Sequence, residues 1–276
     1  MTAWSRRLTG GLAGGRAVLA RLGRHLVGGR CPVCAAVDAG WETAGGKSGP
    51  ASVPTTVPAR GAGLCPQCAE KLKPRLLGFC PGCASLTQAP DQPVTLCADC
   101  RLRPRLWSAV GFFGEYGGEL REAVLRLKFG GALARLDLLR ELAWQAYGLH
   151  RERPDGFDPQ GPDLVTAVPL HWRRLLTRGY NQSLELARGV AGKLGSPLVA
   201  PALRKVLSTR PQSRLEAAER RTNLAGAFLA DAQVVEGKKV LLVDDVMTTG
   251  ATLEAASRAL FAAGAARVEV LVLARD

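Results

Sequence analysis

What these 276 residues lack narrows the field first. No apolar run approaches the ~20 residues that cross a bilayer as a helix, which argues for a soluble chain. The first 30 residues hold no acid, but Arg6, Arg7, Arg16, Arg21, Arg24 and Arg30, with several glycines, interrupt the apolar stretch of a secretory signal. Leucines there (Leu8, Leu12, Leu19, Leu22, Leu26) fall near helical spacing, and the composition imitates a transit peptide. A loose basic arm or a start placed too early reads equally well, and the segment assigns nothing. Histidine is scarce: His25, His150 and His171 are the only three, and only His171 lies where a reacting group is plausible. There is therefore no cue for a dedicated general base. Gly45-Gly46-Lys47-Ser48 lacks both the preceding strand and the first glycine of a P-loop, because Trp41 stands where that glycine belongs. Aromatics are sparse at 5%, and acids are outnumbered, 24 against 37 Lys+Arg, for a net charge of +13. That imbalance favours polyanionic partners such as nucleic acid, phosphates or anionic lipid, although solubility accounts for part of it.

Cysteine is absent outside Cys31–Cys100, and within that stretch all 8 occur as Cys-x-x-Cys: Cys31/Cys34, Cys65/Cys68, Cys80/Cys83 and Cys97/Cys100. This spacing forms a knuckle that turns two thiolates toward one tetrahedral ion at ~2.3 Å. One such pair is compatible with redox chemistry, and cysteines in a secreted chain pair as disulfides. Four regular pairs without a signal peptide favour two four-cysteine zinc sites. Sequential pairing puts Cys31, Cys34, Cys65 and Cys68 in one ribbon and Cys80, Cys83, Cys97 and Cys100 in the other; a crossed pairing satisfies the spacing too. With four thiolates each, the ions have no open position, so their role is folding. A Gly/Ser/Pro/Thr-rich insertion at about 42–63 separates the first two pairs and reads as flexible.

Near the C-terminus, Val240-Leu241-Leu242-Val243 is a run of the kind buried on both faces of a parallel sheet. Asp244 and Asp245 follow, then Val246-Met247-Thr248-Thr249-Gly250-Ala251-Thr252, and a helix opens from Leu253. A strand, a tight turn and a helix N-terminus direct backbone N–H groups and the positive end of the helix dipole at one point, a ready place for a phosphate. Thr248, Thr249 and Thr252 add hydroxyls, and the two aspartates can hold neighbouring sugar hydroxyls. Taken separately, paired aspartates also serve as helix caps. The ordered string resembles the phosphoribosyl diphosphate (PRPP) motif of the type I phosphoribosyltransferases.

Between these ends, Arg101-Leu102-Arg103-Pro104-Arg105 is a basic, proline-broken joint. Trp107–Tyr116 reads as a strand or hairpin, Leu120–Leu127 as an amphipathic helix stopped at Gly130-Gly131, and Leu133–Tyr147 as a longer helix. A polar loop over Arg151–Pro162 leads to a strand at Leu164–Val168 broken by Pro169, then to Arg173, Arg174 and Arg178 interleaved with Trp172 and Tyr180, then to a helix ending at Leu194. Interleaved arginines and aromatics can grip phosphates and stack bases; a partly buried Trp172 beside a solvated basic face fits as well. Arg210, Arg214, Arg220 and Arg221 crowd among Pro, Gln, Ser and Asn, the make-up of a mobile anion-facing loop, or of a solvated basic helix from Leu215. Ala265–Leu273 closes the chain as a last strand.

Val168-Pro169-Leu170 followed by Arg178-Gly179-Tyr180-Asn181-Gln182-Ser183, Leu127-Lys128-Phe129, the four cysteine pairs and the terminal Asp-Asp-Thr-Thr-Gly motif together resemble the ComF family. The resemblance runs from about Cys31 to the C-terminus. It implies an α/β fold, a type I phosphoribosyltransferase-like parallel sheet with helices on both faces and a small hood, preceded by a cysteine-rich double zinc ribbon. The expected divisions are a basic arm at 1–30, the ribbons at 31–103 and the phosphoribosyltransferase-like domain at 104–276. By position, Pro169 and Leu170 belong to a diphosphate-binding loop, which joins Asp244, Asp245, Thr248, Thr249, Gly250, Ala251 and Thr252 in a PRPP site served by Mg2+; residues 208–224 correspond to the loop that closes over the substrate in transferases. Arg173, Arg174, Arg178, Arg210, Arg214, Arg220 and Arg221 are the expected phosphate or DNA contacts. The long first spacer departs from the compact family ribbon. The implied function is an accessory role in DNA uptake and natural transformation, binding PRPP or a nucleotide 5′-phosphate and single-stranded DNA, with the ribbons docking a partner of the uptake machinery. An active Mg-dependent phosphoribosyltransferase in nucleotide salvage is the alternative, and thiol–disulfide exchange a weaker one. The expected compartment is the cytoplasm, with peripheral membrane attachment left open.

Overall fold

The computed structural model of the chain describes residues 30–37, 64–130, 133–170, 175–176, 179–207, 224 and 226–276, with the backbone alone at 126–130 and 133–135. Its centre is the apolar run identified above. Strand β5 (Lys239–Met247) carries Val240–Val243, all at most 1% exposed, between β6 (Arg267–Arg275) and β2 (Leu164–Ala167). Strand β1 (Ala109–Glu115) lies outside β6, so the order is β1-β6-β5-β2 and every pairing is parallel. Parallel neighbours cannot be joined by tight turns and need crossovers, which the helices supply.

Alternation within β5 divides the interior into two layers. Leu241 and Val243 join one cluster with Leu139, Leu142 and Tyr147 of the helix at Leu133–Arg151 and with Leu186 and Val190 of the helix at Gln182–Leu194. Val240 and Leu242 face the other way, onto Leu253, Ala256 and Leu260 of the helix at Ala251–Ala262. In chain order the helices among the described residues are α1 (Pro66–Lys71), α2 (Ala98–Leu102), α3 (Gly118–Gly130), α4 (Leu133–Arg151), α5 (Gln182–Leu194), α6 (Ala232–Val235) and α7 (Ala251–Ala262). Full burial of a Leu186- or Val190-sized side chain stabilises by about 2 kcal/mol relative to exposure, which holds α5 to the sheet far more firmly than its intrinsic propensity.

After α5 the chain returns along the outer side of β2: Val165 N–H donates to Pro197 O and Val199 N–H to Val165 O, both at 2.9 Å. A short antiparallel pair follows, β3 (Leu203–Lys205) with β4 (Phe228–Ala230). Leu203 and Phe228 pack into the α7 layer and form the hood before β5.

The cysteine-rich region is built into this body. Cys31, Val33, Leu64, Cys65, Cys68 and Leu72 share the α4–α5 layer with Phe113, Leu120 and Val124. Lys71 pairs with Glu119 at 2.8 Å, and Arg75 N–H donates to Phe113 O at 2.8 Å. On the other face Phe79 meets Phe112 edge-on, with ring centroids 5.0 Å apart. No described helix is long and apolar enough to cross a membrane.

Candidate functional site

Strand β2 is paired with β5 only as far as Ala167–Val243, with a last bond from Val168 N–H to Val243 O at 2.9 Å. The next residue, Pro169, has no N–H to extend the ladder. Strand β5 runs on to Met247, so Asp244 and Asp245 lie inside the strand, beyond its last β2 partner. The two acids thus stand on the unpaired edge of β5 at the carboxyl ends of the parallel strands, the place where open α/β sheets bind ligands.

Asp244 is almost buried and precisely held. Ser183 Oγ donates to its Oδ1 at 2.7 Å, and the Asp245 N–H donates to the same atom at 2.9 Å. Asp245 Oδ1 accepts from Val246 N–H at 2.8 Å. Ser183 stands in the first turn of α5, capped by Asn181: its Oδ1 accepts from Ser183 N–H at 3.1 Å while its Nδ2 donates to Val168 O at 3.0 Å. One asparagine thus joins the end of β2 to the start of α5 and delivers the serine to the aspartate. Pro169 and Leu170, half-buried, line a cavity of about 350 Å³ with Tyr180, Asn181 and Leu184.

At the turn, Thr248 is half-buried, Thr249 exposed and Gly250 buried. Gly250 caps α7 at φ 78°, ψ 0°, a left-handed conformation that costs an L side chain roughly 1–2 kcal/mol. Thr249 Oγ1 accepts from Ala251 N–H at 3.3 Å. Ala251 and Thr252 begin the helix, whose first N–H groups and dipole make this end suited to an anion. Asp244, Asp245, Thr248, Thr249, Gly250, Ala251 and Thr252 therefore lie on one continuous strand-to-helix turn. Arg173, Arg174, Arg178, Arg210, Arg214, Arg220 and Arg221 lie outside the described residues, as do His171, Trp172, the arm at 1–29 and the insertion at 42–63.

The eight cysteines resolve into two clusters, Cys31/Cys34/Cys65/Cys68 and Cys80/Cys83/Cys97/Cys100, the Sγ atoms of each within 4.8 Å of one another. The fold forms the sequential pairing and not a crossed one. Cys34 and Cys65 Sγ are 3.6 Å apart and Cys83 and Cys97 Sγ 3.8 Å; a tetrahedron with ~2.3 Å metal–sulfur bonds has edges of about 3.8 Å. The donor sets fit zinc and close its coordination. Both clusters use the same knuckle: Ala35 and Ala84 sit at φ 63° and 55°, each donating its N–H to the first cysteine's carbonyl, at 2.8 and 2.7 Å. Without metal, the hydrogen bond from the Cys83 thiol lowers the Cys80 pKa against the effect of burial.

His150, at the end of α4, is buried with its Nε2 3.0 Å from Phe112 O and its ring among Phe79, Phe112 and Phe157. It packs the core. Sequence reasoning picked out the turn but passed over Ser183 as a site residue, and nothing in the spacing singled out Trp107 and Arg275, which pack behind the turn.

A parallel sheet with helices on both faces, a hood and a strand–Asp-Asp–turn–helix site defines a phosphoribosyltransferase-like α/β protein, here with two four-cysteine clusters. The phosphoribosyl transferase domain family matches residues 181–276. The chain is 35% identical over 219 residues to DNA utilization protein YhgH of Salmonella typhimurium, covering 77% of this chain and 90% of that protein. It is 31% identical over 215 residues to competence protein F of Haemophilus influenzae (77% and 90% covered), and 28% over 225 residues to competence protein ComFC of Bacillus subtilis (77% and 84%). The chain belongs to the ComF family.

Proposed function

We propose that the protein binds PRPP or a nucleotide 5′-phosphate at the β5–α7 turn, and single-stranded DNA on its basic surface, as a competence-type factor that handles incoming DNA. The observation that carries the ligand reading is the placement of the two aspartates. Ser183 and the backbone fix Asp244 at the mouth of an anion-receptive helix end. A phosphate at the helix N-terminus leaves the acids at the level of the ribose hydroxyls, and Mg2+ would neutralise a diphosphate there. The relatives named for competence and DNA utilization support the biological role, and the +13 charge supports a polyanion. Two structural zinc ions would lock the cysteine clusters, whose closed donor sets leave no place for catalysis.

Binding without transfer is the favoured reading because the relatives are named for competence and DNA utilization. Calorimetry with PRPP and Mg2+, on the wild type and on Asp244→Ala/Asp245→Ala, with and without a short single-stranded oligonucleotide, is the test. Binding that disappears in the double variant supports the site, and mutual strengthening by the oligonucleotide supports a ligand-regulated DNA factor. Release of diphosphate in the presence of mixed bases would instead establish a transferase.

A further inference from the structure

Between the second cysteine cluster and the β5–α7 turn stand two side chains that touch both. Trp107, 4% exposed, donates its Nε1–H to Gly82 O at 2.8 Å, inside the Cys80–Cys83 knuckle. The far edge of the same indole backs the turn: a Cβ on Gly250 would lie 3.3 Å from Trp107 Cη2 and 3.4 Å from Met247 Sδ. Arg275, the last residue of β6, reaches from the opposite side. Its Nε donates to Cys83 O at 3.4 Å and its Nη1 to Met247 O at 3.2 Å. Met247 O also accepts from Asp276 N–H at 3.0 Å. Arg105 adds a third link, lying over the Trp107 ring at 6.0 Å and pairing at 2.9 Å with Asp99, between Cys97 and Cys100.

The two carbonyls that receive these bonds, Gly82 O and Cys83 O, belong to the knuckle that the second cluster closes. The knuckle is itself crowded: a Cβ on Gly82 would stand 3.2 Å from Cys100 Sγ. Closure of the second cluster therefore fixes Trp107 and Arg275, and these fix the carbonyl and the glycine at the two ends of Met247–Gly250. The first cluster is anchored elsewhere, through Lys71 to Glu119 on α3.

We propose that Trp107 and Arg275 are positioning residues that couple the second cysteine cluster to the anion-binding turn, so that the metal-locked knuckle holds the turn ready for its phosphorylated ligand. The identity of that ligand rests on the function proposed above; the coupling itself does not.

The test uses the full-length, zinc-loaded protein. Hydrogen–deuterium exchange of the peptide spanning Met247–Leu253 is compared in wild type, Trp107→Phe, which loses both the N–H and the far edge of the indole that backs Gly250, and Arg275→Lys, which cannot bridge two carbonyls in the same way. PRPP affinity is measured in parallel by calorimetry, and metal content by emission spectroscopy. The expected result is faster turn exchange and about tenfold weaker PRPP binding in both variants, with two zinc ions retained. By reciprocity, PRPP should slow zinc loss to a chelator from the second cluster and not from the first. Unchanged turn exchange in both variants overturns the coupling. If the wild type ignores PRPP, the ligand assignment fails, while the exchange comparison still decides whether the cluster governs the turn.

Discussion

Ser183 is the residue on which the placement of Asp244 depends most directly. Replacing it with alanine removes the 2.7 Å hydrogen bond to Asp244 Oδ1. A hydrogen bond to a charged group contributes about 1.5–3 kcal/mol, so Ser183→Ala should weaken PRPP binding roughly 10- to 100-fold in calorimetry while the protein stays folded. His150 makes a stability prediction of a different kind. Burial pulls its pKa from 6.5 down to about 4, with the Arg153 charge adding to the effect. Between those values the unfolded chain binds a proton that the native chain refuses. Stability is thus full above pH 6.5 and falls as the pH drops toward 4, by up to about 3 kcal/mol. Urea denaturation at pH 7.5 and pH 5 should show the loss in the wild type, and His150→Gln, which keeps a donor for Phe112 O, should flatten it.

Among the elements, α5 and its cap connect the fold to the site. Asn181 satisfies Ser183 N–H and holds Val168 O, so one side chain closes the helix and fixes the end of β2. Asn181→Ala should cost about 1 kcal/mol of stability from the cap alone, seen as a lower denaturation midpoint. It should also weaken PRPP binding, because Ser183 is delivered to Asp244 by that first turn. Asn181→Asp separates the two effects: the carboxylate restores the cap but cannot donate to Val168 O. The elements were largely legible in advance. Strand β5, helices α4, α5 and α7, and the stop of β2 at Pro169 follow from short apolar runs, periodicity and one imino acid. Strand β5 continues through both acids because β6 still pairs with it as far as Met247–Arg275, a long-range partnership that a local apolar pattern does not display.

For the whole molecule, the cysteine clusters and the charge decide the behaviour. Stripping the metal with a strong chelator should lower the melting temperature by about 5 °C or more, because Cys31, Cys65 and Cys68 belong to the α4–α5 core. Binding to a single-stranded oligonucleotide should weaken linearly in log–log form with salt, with a slope of about −0.7 per neutralised phosphate; a flat dependence in filter binding would remove the basic surface as the DNA contact.

The sequence by itself determined whatever is contiguous: the apolar run leading to Asp244 and Asp245, the glycine turn, the start of α7, and the pairing of cysteines two by two. Each depends on neighbours a few positions apart, where periodicity, turn chemistry and chelate spacing act. Only the tertiary structure decided which cysteine pairs share a cluster, and that Ser183 meets Asp244 across 61 positions. It alone joined Trp107 to Gly82 across 25 positions and Arg275 to Cys83 across 192. Such contacts arise where the fold packs strand ends and the second cysteine knuckle together, and a meeting of single side chains over that distance leaves no period or spacing in the chain to read.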